Sequence, residues 1–154
     1  MTDSAPEQQR RQLAAARRKA RHYAVQALYQ WALSANALND IERQFNEDFD
    51  FRGADRDYFH EILHGVPARL AELEAAFEPH LDIALEKLGP VERAVLRIAT
   101  WELACRPDVP YRVALNEAVA LTKKFGATES HRFVNAVLDR VARDLRAAES
   151  ARPR

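Results

Sequence analysis

His60-Glu61-Ile62-Leu63-His64 is the string in this chain closest to a reaction centre. Histidines at i and i+4 share one helix face and can hold a zinc ion, and a glutamate beside the first can activate a zinc-bound water. On a helical wheel with Phe59 as origin, the apolar residues Phe59, Ile62, Leu63, Val66 and Leu70 centre at about −10°. On the same wheel His60 falls at about 100°, His64 at about 140° and Glu61 at about 200°. All three polar residues are therefore expected to face solvent. A catalytic zinc also needs a third protein ligand in a sheltered cleft, and peptidases of this kind hold substrate along a strand edge. The sequence offers neither, and His22, His80 and His131 are scattered. The string reads as an exposed helix face, with surface metal binding and peptidase activity as the alternatives; no metal ligand and no catalytic residue is assigned.

The second candidate is a run of cations. Arg10 to His22 contains six Lys/Arg and no acid. With Arg17 as origin, Arg21 lies at about 40°, Arg18 at about 100° and Lys19 at about 200°. The apolar stripe Ala24, Ala27, Leu28 and Trp31 centres at about −30°. Tyr29, at about 120°, points away from that stripe along the line of Arg18. Cations that neutralise phosphate beside an aromatic ring that can stack are what single-stranded nucleic acid requires. Cations at a helix start oppose its dipole, so they need some other reason to be there. A solvated basic helix start and a nucleic-acid strip are both compatible with this pattern. The formal charge is zero overall, yet residues 1–30, 31–90 and 91–154 carry +4, −8 and +4. Such a chain can offer one surface to a polyanion and another to a basic partner.

The elements that must position these residues are helices. The chain has 154 residues with only 4 Gly and 7 Pro, so breakers are scarce, and no segment alternates with period two. Stripes of helical period recur over Ala24–Trp31, Phe59–Leu70 and Val134–Leu145, and Val91–Cys105, apolar on almost every side, is expected to be the central buried helix. Asn39, Asp55 and Thr128 are expected N-caps. About seven helices result, in a domain over residues 13–146 between flexible tails at 1–12 and 147–154. Cys105 is the sole cysteine, which excludes an internal disulfide and a cysteine-based zinc cluster. Phosphate-cradling glycine motifs and the nucleophile-elbow pattern are absent, so no cofactor is expected. No apolar run of membrane-spanning length is present, and an intracellular, cytoplasmic protein is expected.

Three stretches, Ala16–Trp31, Leu88–Leu103 and Asp108–Asp139, together resemble the NusB family of transcription antitermination factors. The order Val109-Pro110-Tyr111, Asn116-Glu117-Ala118, Phe125-Gly126 and Ser130-His131-Arg132-Phe133-Val134-Asn135 is the specific part. The resemblance implies an all-α fold of two packed three-helix lobes plus an extra helix, without enzymatic activity. It implies a partner, NusE, which is also a small-subunit ribosomal protein, and a ligand, the single-stranded boxA element of nascent ribosomal RNA leaders, within the RNA polymerase antitermination complex. By position, Arg17, Arg18, Lys19 and Arg21, with Glu129, Ser130 and Phe133, match RNA-binding residues. Tyr29, Glu86 and Glu92 match residues facing NusE. Arg10 and Arg11 extend beyond shorter family members, and the His60–His64 string is not part of the family's pattern. The same helical module also fronts ribosomal RNA cytosine methyltransferases, which is the alternative reading; those chains continue into a catalytic domain, which is not expected here.

Overall fold

A computed structural model describes residues 4–150. Eight α-helices are present among them and no strand, so the all-α expectation holds. The chain divides into two compact units, residues 1–64 and 65–154.

In the first unit, α1 (Ala5–Leu33), α2 (Leu38–Asp48) and the N-terminal part of α3 (Arg56–Ala68) surround an aromatic core. Phe45 stacks on Phe49 with ring centroids 4.6 Å apart, Phe51 meets Phe59 edge-on at 5.1 Å, and Tyr23 packs on Phe51 while its hydroxyl donates to the Asp50 carbonyl at 2.7 Å. Asp55 caps α3 as expected, its Oδ1 accepting from the Tyr58 N–H at 3.0 Å. α2 instead starts at Leu38 without a side-chain cap, so Asn39 lies inside it.

α1 begins well before the apolar stripe does. Ser4 caps it by accepting from the Glu7 N–H at 3.3 Å, Pro6 sits at a position where its missing N–H costs nothing, and Glu7 complements the dipole. Residues 5–12 are thus helical and exposed, which corrects the expected tail over that stretch; residues 1–3 lie outside the described residues. Local capping set this start, and apolar periodicity carries no information about it.

The histidines of α3 have a partner that the wheel does not show. His60 Nδ1 lies 2.7 Å from Glu42 Oε2 and His64 Nε2 lies 2.8 Å from Glu42 Oε1, so the pair meets a carboxylate on α2 while His60 stays exposed, as expected, and His64 is partly covered. Glu61 is exposed, as the wheel requires.

The second unit is built around α5 (Pro90–Cys105), buried at Glu92 and at every position from Ala94 to Leu103. α4 (Leu70–Phe77), α6 (Tyr111–Phe125) and α7 (Ser130–Leu145) pack on it. Burial pushes the Cys105 thiol above its usual pKa, which leaves it without reactive thiolate character. α8 (Ala147–Ser150) occupies part of the expected C-terminal tail, and residues 151–154 lie outside the described residues. Two side chains hold α8 in place. Arg146 donates to the carbonyl of Leu103 in the last turn of α5 and to those of Arg106 and Val109 just beyond it, and pairs with Glu149 at 2.7 Å. Glu149 also accepts the Tyr111 N–H at the start of α6.

Candidate nucleic-acid interface

The cations of α1 have unequal surroundings. Arg18 is exposed, and Lys19 is half-buried with its Nζ donating to the Arg52 carbonyl at 2.7 Å. The guanidiniums of Arg17 and Arg21 lie over the ring of buried Tyr58, at 4.7 and 5.4 Å from its centroid, and Arg21 is only 3% exposed. Arg21 therefore does not present its charge to a phosphate here, contrary to the expectation. The buried positions of α1 span Ala27, Ala20, Ala24, Leu28, Arg21 and Val25, an arc of about 160° that runs across Arg17 and Arg21 and stops short of Arg18. Arg11, also exposed, lies seven residues before Arg18, about 20° around the helix and roughly 10 Å along it. Tyr29 is 38% exposed, in keeping with its place on the wheel.

In the second unit, the start of α7 differs from the expected cap. Thr128 lies in a turn, and Glu129 takes the cap position with φ +70°, the only non-glycine residue with positive φ among those described. Its side chain makes no cap hydrogen bond and instead meets Arg132 at 2.9 Å, with both groups largely exposed. Ser130 Oγ lies 2.7 Å from Glu92 Oε2 and 2.8 Å from the Ala127 carbonyl. Its one proton serves one acceptor at a time, and the charged oxygen is the stronger. Phe133 is half-buried. Beside these residues an open groove between α6 and α7 is lined by Asn116, Val119, His131, Arg132 and Asn135. Asn116, His131, Arg132 and Asn135 belong to the motifs that carry the resemblance but were given no binding role there; their spacings of 116/119 and 131/132/135 put them on facing helix sides.

Glu92, expected to face a protein partner, is 8% exposed. Its Oε2 also accepts the Ala127 N–H at 3.0 Å, and a Cβ at Gly126 would fall 2.6 Å from the same oxygen. Burial raises the Glu92 pKa, but the hydrogen bonds from Ser130 and Ala127 outweigh it and hold the carboxyl below its ordinary value. Glu86, in a short 3-10 turn over Leu85–Lys87, is exposed. That turn is fixed by Arg93, whose Nη2 donates to the Leu85 carbonyl at 2.7 Å.

The model of the NusB family matches residues 18–143. The chain belongs to the NusB family. A transcription antitermination protein NusB from Pseudomonas putida (strain W619) is 58% identical over 135 residues, spanning 88% of this chain and 81% of that one. Another, from Teredinibacter turnerae, is 57% identical over 137 residues, spanning 88% of this chain and 93% of its own. A solved structure of T. maritima NusB superposes with a TM-score of 0.74 at 29% identity, over 87% of this chain and 95% of that one. The NusB match takes in Arg18, Lys19, Tyr29 and the α7 start, and it begins just after Arg17. The family is named for transcription antitermination and not for a catalysed reaction. Among the described residues, no helix is long and apolar enough to cross a membrane.

Proposed function

We propose that this chain is a non-enzymatic transcription antitermination factor that binds the single-stranded boxA element of nascent ribosomal RNA leaders together with NusE, and supports processive transcription and maturation of ribosomal RNA. Exposed Arg18 on a helix of a NusB-family chain is the observation that carries the RNA part of this reading. Lys19 assists it. Arg17 and Arg21 serve chiefly to seat α1 on Tyr58. In the second unit, Phe133 and the adjacent α6–α7 groove are proposed as a separate RNA contact, with hydrogen-bonding side chains suited to unstacked bases. Ser130 and Glu92 act there by shaping the turn before α7. For NusE, exposed Glu86 and Tyr29 are the proposed contacts; the charge of −8 over residues 31–90 suits a basic ribosomal protein. The proposed setting is the cytoplasm, in the RNA polymerase antitermination complex.

The test is fluorescence anisotropy of a labelled boxA RNA and of a scrambled RNA, each with and without purified NusE. Tighter binding of boxA than of the scrambled strand, strengthened by NusE, is expected. Equal affinity for both RNAs with no effect of NusE contradicts the proposal.

A further inference from the structure

Glu42, His60 and His64 form a cluster in the first unit that the RNA reading does not use. Their ligand atoms all lie within 4.8 Å of one another, and the two imidazole rings are 4.3 Å apart. The set is two imidazoles and one carboxylate, a combination used for zinc with a position left open to solvent. It stands on rigid elements. The i and i+4 histidines share a face of α3, Glu42 comes from α2, and the helices are held by buried Ile41, Phe45, Phe59, Ile62 and Leu63. The side chains are 56%, 28% and 19% exposed for His60, His64 and Glu42, so an ion could enter from solvent and keep a water ligand.

We propose that Glu42, His60 and His64 bind one divalent cation of the zinc class, which ties α2 to α3. Two imidazoles favour Zn2+, Co2+, Ni2+ or Cu2+ and disfavour Mg2+ and Ca2+, which take oxygen ligands. Each ring turns a nitrogen toward one Glu42 oxygen, at 2.7 and 2.8 Å. Tetrahedral ligands about 2.0–2.1 Å from a zinc ion stand about 3.3 Å apart, so each histidine nitrogen has to draw back from Glu42 by roughly half an ångström. The proton at each ligating nitrogen moves to the other ring nitrogen or to solvent. No reaction is assigned to the ion; it acts as a cross-link between two helices, and its binding does not depend on the RNA reading.

Full-length, untagged protein stripped with chelator is titrated with Zn2+ by calorimetry and with Co2+ by visible absorption. One ion per chain is expected, with the strong visible bands of four-coordinate Co2+. A hundredfold excess of Zn2+ over its dissociation constant should raise the melting temperature by about 5 °C, and Mg2+ should leave it unchanged. His60→Asn with His64→Asn should weaken Zn2+ binding by about a hundredfold or more, and Glu42→Gln by about tenfold with an altered Co2+ spectrum. Circular dichroism establishes that each variant keeps its helicity, and Glu42→Gln alone decides the matter if the double variant does not fold. Absence of saturable binding to the wild-type chain overturns the proposal. So does affinity unchanged in the histidine variant, which puts the ion elsewhere, or unchanged in Glu42→Gln, which reduces the site to a bare histidine pair.

Discussion

The hydroxyl of Ser130 lies 2.7 Å from Oε2 of Glu92, so the start of α7 is fastened to the start of α5 at one carboxylate oxygen. By resemblance these residues match two different binding surfaces, one for RNA and one for a protein partner. Their contact makes them a single structural device that sets the path of residues 126–130. Gly126 is part of it, because a side chain there would collide with the same oxygen and with the Thr122 carbonyl, 2.8 Å away.

Glu92→Gln is therefore expected to destabilise the protein by about 1.5–3 kcal/mol, the range for hydrogen bonds to a charged group. A double-mutant cycle with Ser130→Ala should show a coupling of about 1 kcal/mol. The cost should also depend on pH. A carboxyl held below its ordinary value when folded contributes stability above its unfolded pKa, near 4.5, and loses it as pH falls through the folded value. Urea unfolding should show a constant gap between wild type and Glu92→Gln near neutral pH, narrowing only below about 4.5. A gap that is already closing near pH 6 would mean another group is responsible.

Glu129→Gly should stabilise the protein by about 1 kcal/mol, since φ +70° strains any side chain there and glycine adopts it freely. The exposed pair with Arg132 that the change removes contributes less than this. A fall in the urea midpoint would show that the Glu129 side chain matters more than its backbone.

Arg146→Ala should cost about 2–4 kcal/mol, because the half-buried guanidinium serves carbonyls of Leu103 and Val109 that would otherwise lose their donor, and adds a second donor to that of Arg106. Thermal unfolding measures this. Arg143→Ala, at an exposed position on the same helix, should cost under about 0.5 kcal/mol and serves as the control.

Much of this was readable in the sequence. The all-round apolar pattern of Val91–Cys105 marked a buried helix, and Asp55 before Arg56 marked a helix start, because both signals are local. The wheel of α1 also held more than the cation count suggested: Arg17 and Arg21 fall beside the apolar stripe of Ala24, Ala27 and Leu28, which is where their guanidiniums close over Tyr58. Counting charge without angle hides that. The contacts of Glu42 with two histidines 18 and 22 residues away were not readable, since they depend on how α2 meets α3. The same holds for Glu92 and Ser130, 38 residues apart. The left-handed turn at Glu129 was hidden because Thr128 offers a good cap in the wrong place.

The central claim is that α1 meets RNA through exposed Arg18, while Arg21 holds the helix in the fold. The decisive measurement is the salt dependence of boxA RNA affinity for wild type, Arg18→Gln and Arg21→Gln. Arg18→Gln should lower the log–log slope by about 0.7, one phosphate contact to a single strand, and cost less melting temperature than Arg21→Gln. Arg21→Gln should keep the slope and lower the melting temperature. An unchanged slope for Arg18→Gln, or a slope lost only with Arg21→Gln, would contradict the account.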